Sequence, residues 1–337
     1  MRLLRYTLRR LLLLIPVLLA ALFVTFFLTR ILPGNPLQRV ISPYTSEERR
    51  AEMMREAYLD RPFYEQFLFY LRDLATGDMG TSYTTSQPVA KDLLERFPAT
   101  LEVVFYAMVL AVVLGVLIGI VGALAKDTIP DHVGRIFAVL GVSLPVFWLG
   151  MMLLFVFFYE WRIAPAPMGR IPVAMSPPER LTGFFTIDAL LTGEWEIFVA
   201  ALRGLMLPVI AIAFTSLAPI ARMTRSSMID ALESDYVRTA TVLGLPRPLI
   251  LFQHALKNAI VPVLTITAAV FGFSLGGQVL VEYVFSWPGL GLYAYNAILA
   301  SDFPAIQGFI LLATTVYVLI YLVVDVLSAM IDPRINY

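Results

Sequence analysis

Six apolar stretches, each long enough to cross a lipid bilayer, constrain this chain more than any other feature. A helix rising about 1.5 Å per residue needs about 20 residues to cross a hydrocarbon core of roughly 30 Å. Runs of that order occupy residues 8–31, 103–125, 136–159, 204–221, 259–281 and 305–328. Inside lipid no water satisfies a free N–H or C=O, so such runs must close their own hydrogen bonds as helices. The expected class is an all-α integral membrane protein with six transmembrane helices. Composition agrees, with 59% of the 337 residues hydrophobic and only 15% charged, outside the balance of a soluble globular domain.

An even number of spans puts both termini on one side. Arg2, Arg5, Arg9 and Arg10 hold the N-terminus in the cytoplasm by the positive-inside rule. The total basic count is nearly even between the two sides, because many outer Lys and Arg lie in one long segment, where the rule is weak. The short loops agree with the N-terminus: residues 283–303 carry no Lys or Arg, whereas residues 222–258 carry Arg222, Arg225, Arg238, Arg247 and Lys257. The first apolar run far exceeds a signal-peptide core of about 7 to 15 residues and no small-x-small site follows it, so it reads as a retained anchor. A chain without cysteine forms no disulfide and holds no iron–sulfur cluster. A net charge of zero gives no reason to expect nucleic acid.

Pro33-Gly34-Asn35-Pro36 ends the first helix at the membrane exit. Helical spacing of apolar residues in the external segment that follows predicts short amphipathic helices over 47–58 and 64–74. A second external loop, residues 160–203, is rich in proline and acidic residues. In the second span Ala107, Ala111, Gly115, Gly119 and Ala123 form a stripe of small residues four apart, and Gly272 and Gly276 repeat that spacing in the fifth. Small stripes let membrane helices approach closely, so these seven are expected at helix–helix contacts. Pro145, Pro208 and Pro219 lie inside other spans, where prolines free backbone carbonyls and bend helices, as suits a moving pore and also occurs in static bundles. Trp287-Pro288-Gly289 predicts an external, interfacial tight turn.

The chain shows no chemistry of its own. A phosphate-cradling loop needs Lys after Gly, and none of Lys91, Lys126 and Lys257 follows a glycine. His132 and His254 stand alone in loops, without a metal-ligand pattern. A proton-coupled carrier would want ionisable residues at mid-membrane. Glu102, Glu160, Glu282 and Asp325 instead fall close to span ends, and Asp325, the deepest, is expected to pair with Arg334 or a backbone group. The sequence describes a pore without an engine.

A part that could meet an engine lies in residues 234–246, SDYVRTATVLGLP, a helix signal set in a polar loop. Ser234 or Asp235 suits the helix start, Gly244 supplies a left-handed stop and Pro246 blocks continuation. The rod between is about nine residues, roughly 14 Å. Tyr236, Val237, Ala240 and Leu243 are expected on one docking face, with Asp235, Arg238 and Thr241 elsewhere.

The loop Arg222-Met223-Thr224-Arg225-Ser226-Ser227-Met228, then Asp235-Tyr236-Val237-Arg238-Thr239-Ala240 and Gly244-Leu245, then His254-Ala255-Leu256-Lys257-Asn258-Ala259 and Pro262, resembles the coupling loop of binding-protein-dependent ABC permeases of the dipeptide and oligopeptide class. Pro33-Gly34-Asn35-Pro36, Gly77-Asp78-Met79-Gly80-Thr81-Ser82 with Pro88-Val89, Phe285-Ser286-Trp287-Pro288-Gly289-Leu290-Gly291 and Asp332-Pro333-Arg334 are also similar to that class. The chain most resembles the first of its two permease subunits, the one like dipeptide permease B. Where the general permease motif has Glu-Ala-Ala, this chain has Arg238-Thr239-Ala240.

The resemblance implies an N-terminal tail and anchor helix over 1–32, a periplasmic insertion over 33–96, an ABC type I transmembrane core over 97–328 containing the coupling loop 222–258, and a cytoplasmic tail over 329–337. It implies an ATPase-coupling role for residues 235–240 and 243–245. The implied partners are a second, homologous permease, two cytoplasmic ATPase subunits that use the ATP, an external substrate-binding protein and membrane lipid, with no cofactor bound by this chain. The setting is the inner (plasma) membrane. An ion-gradient-driven secondary transporter is the alternative, and an assembly factor without transport a third reading.

Overall fold

The computed structural model describes residues 2–31, 46–48, 52, 55 and 60–331. The break at 33–36, most of the amphipathic helix expected over 47–58, the C-terminal Asp332-Pro333-Arg334 and thus the Asp325–Arg334 pair lie outside the described residues. In chain order the helices are α1 (Arg2–Ile31), α2 (Phe63–Ala75), α3 (Val89–Leu124), α4 (Ile129–Ser143), α5 (Val146–Leu153), α6 (Phe185–Thr192), α7 (Trp195–Leu232), α8 (Asp235–Val242), α9 (Lys257–Gly277), α10 (Val279–Val284), α11 (Leu290–Ala300) and α12 (Phe303–Ile331). Wider π-helical turns extend α5 over Leu154–Glu160 and lead into α9 over Ile250–Leu256.

Five stretches are long and apolar enough to span a bilayer: Leu11–Thr29 in α1, α3, α7, Arg247–Gly277 and Phe303–Val326 in α12. The sixth expected span, residues 136–159, is not one straight helix, because α4 and α5 meet at a bend of 103°. Pro145 lacks the N–H that would continue the ladder and disfavours helical backbone in the residue before it. Leu144 is accordingly extended, at φ −90° and ψ 127°. Pro98, Pro208, Pro219 and Pro262 lie inside helices that run on through them.

The small-residue stripe of α3 is buried along its whole length. It is the seam against α7: a Cβ on Gly115 would meet Ile220 at 3.0 Å, and one on Gly119 would meet Thr224 at 2.5 Å and the Ala221 carbonyl at 2.8 Å. In α9, Gly272 lies directly under the ring of Tyr317 from α12. Gly276 departs from the expectation, since among the described residues nothing stands within 4 Å of where its Cβ would be. Four residues turn a helix position by about 40°, which swings Gly276 out of the α12 contact to an exposed position beside Phe273.

The main core joins α3, α7, α9 and α10 around Val103, Ala107, Ile212, Ile220, Val263, Val281 and Trp287. α1 lies against α12, where Gln307 donates to Thr29 Oγ1 at 2.8 Å. α2, the second of the two expected amphipathic helices, sets Phe63, Phe67 and Tyr70 on Phe23 and Phe26 of α1.

Candidate functional site

α7 runs past the bundle and hands the chain to α8, whose construction is local. The helix ends in a Schellman motif: Leu245 N–H donates to Ala240 C=O at 3.2 Å and Gly244 N–H to Thr241 C=O at 3.0 Å. Gly244 has the left-handed φ of 74° that the motif requires. Leu245 also packs on Val237, Ala240 and Ile250, the apolar contact that accompanies such a stop. At the other end Ser234 has the extended backbone of a cap, but its hydroxyl donates back to Ala231 C=O instead of capping α8.

The expected docking face is divided. Val237 and Ala240 are buried against the chain's own following loop. Tyr236 and Leu243, seven residues or about two turns apart, remain 43% and 72% exposed, and Val242 is exposed as well. Arg238 and Asp235 form only a loose solvent pair at 3.6 Å, a contact that adds little. Half of the apolar stripe thus fixes the helix to its loop and half is left outward.

Two ion pairs tie this region to the bundle. Lys126, just past α3, meets Glu233 at 2.7 Å on the surface. Below it, Arg225 of α7 grips Asp131 of α4 through both guanidinium edges, Nε to Oδ1 at 2.5 Å and an η-nitrogen to Oδ2 at 2.7 Å. Asp131 is fully buried and also accepts the Asp127 N–H at 3.0 Å. This bidentate, charge-assisted arrangement fixes α4 to α7 in one register.

The far end of the bundle holds a second buried polar cluster. Trp287 is not interfacial as expected: it is 1% exposed and its Nε1–H donates to Ala99 C=O at 2.8 Å. Ser286 takes the left-handed φ of 51°, and Gly289 N–H donates to Trp287 C=O at 2.8 Å, a three-residue turn where a Pro-Gly β-turn was expected. Gly289 abuts Thr100 Oγ1 and the Glu282 carboxyl so closely that no Cβ fits. Thr100 donates to Glu282 at 2.6 Å and accepts from Leu290 N–H at 2.7 Å, while Leu292 N–H donates to the other carboxyl oxygen at 3.0 Å. Burial pushes the Glu282 carboxyl up to about 7, against the pull of those donors.

On the opposite side of the same turn of α3, Glu102 pairs with Arg170 at 2.6 Å and accepts the Thr186 N–H and hydroxyl at 2.9 and 2.7 Å. Arg170 also lies over the Phe185 ring. Sequence reasoning missed Arg170 and Thr186. The signal available was Glu102 itself, a carboxylate at the edge of an apolar run that must find partners.

Five helices long and apolar enough to span a bilayer and a broken sixth, with a short helix following the longest of them, make the architecture of a multi-pass membrane protein. Residues 111–337 match the family of binding-protein-dependent transport system inner membrane components, and residues 3–104 match the N-terminal family of the same transport systems. The chain is 41% identical to a dipeptide transport system permease protein of Alkalihalophilus pseudofirmus, over 99% of this chain and 100% of that protein. It is 41% identical to a probable D,D-dipeptide transport system permease protein of Escherichia coli, over 93% and 92%, and 36% identical to a glutathione transport system permease protein of Salmonella choleraesuis, over 99% of each. The chain belongs to the family of binding-protein-dependent transport system inner membrane components. It is a multi-pass inner membrane permease subunit of an ABC importer, a pore component and not an enzyme, and such importers work with ATPase and substrate-binding partners.

Proposed function

We propose that this chain forms half of the translocation pathway for dipeptides, oligopeptides or a related small solute, the other half coming from a second, homologous permease. Two ATPase subunits bind ATP on the side of α8, which is the cytoplasmic side and the side of both termini. A substrate-binding protein delivers the solute at the Trp287 end. The cargo reading rests on the named substrates of the relatives, two of them dipeptide systems.

The observation that carries the coupling role is α8 itself: a helix closed by Gly244, pinned by Val237, Ala240 and Leu245, and left with Tyr236, Val242 and Leu243 outward. These outward residues, with Asp235, Arg238 and Thr239, seat in an ATPase groove, and closure of the ATPase pair moves α8 and the attached α7. Residues 97–328 act as the moving core, 33–96 as the external insertion and 1–32 as the anchor. Reconstitution into liposomes tests this. The four-subunit complex with its binding protein outside is expected to accumulate a dipeptide only when ATP is inside. Uptake by the permease alone, driven by an imposed ion gradient, would establish the secondary-transporter alternative instead.

A further inference from the structure

A cavity of 680 Å³ lies between the α4–α5 break, α7 and α9, within the range of about 300 to 1,000 Å³ usual for small-molecule sites. Three backbone irregularities converge on it: the bend at Leu144, Pro219 inside α7 and the end of α9 at Gly277-Gln278, where Gln278 has φ −86° and ψ 6°. At membrane depth, broken helices persist where they are buried in protein or line a polar cavity, and they mark binding sites in transporters.

Three polar side chains lining this cavity are buried and have no hydrogen-bond partner among the described residues. Ser216, Ser274 and Gln278 are 5%, 2% and 5% exposed. The Gln278 Oε1 is buried and accepts no hydrogen bond from the described residues. Among the described residues none of the three side chains makes a hydrogen bond, whereas Thr215, Thr224, Thr267 and Thr315 each donate back to their own helix. A carboxamide can make about four hydrogen bonds, and leaving a buried one unmade costs about 1 to 3 kcal/mol each. Arg222, which lines the same cavity one helical stretch further along α7, has no acidic partner among the described residues. The nearby Arg225 is paired with Asp131.

We propose that this cavity is the chamber through which the solute passes in this subunit, with Ser216, Ser274 and Gln278 hydrogen-bonding its amide backbone and Arg222 receiving its carboxylate. The inference rests on the peptide-cargo reading above and adds to it the residues that recognise the peptide bond. Polar groups kept unpaired suit a transit site, because the solute supplies their partners and leaves with them.

Two measurements on the reconstituted complex test this. The first compares uptake of dialanine with that of its depsipeptide isostere, in which oxygen replaces the amide N–H, with the binding protein saturated by each. In Gln278→Leu the preference for the amide is expected to contract by about tenfold, the discrimination one orphaned buried acceptor supplies. An unchanged preference would overturn the role of Gln278. The second uses the absence of native cysteine: Gln278→Cys and Ser274→Cys are treated with a charged thiol reagent and the mass of this chain is read. Labelling that slows when the retained solute is present is expected. No labelling in any nucleotide state would place these residues off the pathway, even if Gln278→Leu fails to assemble. If the complex takes up no dipeptide at all, the cargo reading fails, and the thiol measurement with whatever solute the binding protein retains still decides the chamber.

Discussion

Glu282 shows how much a single buried side chain can govern. Its carboxyl joins Thr100 of α3 to the backbone that starts α11, and Gly289 is glycine because that carboxyl and the Thr100 hydroxyl fill the space a Cβ would take. Burial raises it from 4.5 to about 7. A carboxyl with a raised native value keeps its proton in the fold while the unfolded chain has lost it. Its contribution is therefore full below about pH 4.5 and lost as pH rises through about 7. The thermal midpoint of the purified subunit should fall between pH 5 and pH 8, and Glu282→Gln, which cannot ionise, should flatten that dependence. An equal slope in both proteins would mean the carboxyl is already ionised at pH 5. None of this was legible in the sequence, where Glu282 was a carboxylate near a span end. Its partner Thr100 is 182 positions away, and the Trp287 indole bonds a carbonyl 188 positions away. Local signals do not carry such distances.

Elements whose construction is local were legible. The stop at Gly244 followed from a glycine two residues before a proline, and the α3 stripe followed from five small residues at one spacing. The bend between α4 and α5 was legible only as a proline that can bend a helix: Pro145 marks the place, but Pro208 and Pro219 carry the same signal in a helix that runs on, and the apolar run continues across Leu144-Pro145. On α8 periodicity finds an apolar face but not which neighbour takes it, and Ile250 and Leu245 take Val237 and Ala240. Gly244→Val tests the element as a unit. Among the described residues nothing stands within 4 Å of its Cβ position, so the left-handed backbone is what resists, at about 1 to 2 kcal/mol. Normal insertion with weakened ATPase co-purification and reduced transport is expected, and Gly244→Asn, which tolerates that backbone better, should retain more of both. Full transport by the valine variant would show that the stop is dispensable.

At the scale of the molecule, the question is how motion at α8 reaches the chamber between α4, α7 and α9. α7 is one continuous helix of 38 residues that lines the chamber through Ser216 and Pro219 and ends next to α8. It carries α4 with it through Arg225 and Asp131. α4 leads into the 103° break, which forms another wall of the same chamber. Under the coupling role proposed for α8, a pull on it would move two walls together, and it would shift the equilibrium between open and closed chambers only if the ATPase contacts differ between those states. Asp131→Asn keeps the shape of the side chain and removes the charge that Arg225 holds. Removing one partner of a buried pair is costly because the other charge is left uncompensated, so the register of α4 on α7 should loosen. The ATPases should still co-purify, since α8 is built by its own loop, while solute carried per ATP hydrolysed should drop several-fold. Loss of ATPase binding instead would mean that the pair serves the shape of α8. An unchanged yield per ATP would mean that α7 alone transmits the stroke and that α4 follows by packing along Gly141, whose Cβ position lies 2.8 Å from the Phe214 carbonyl.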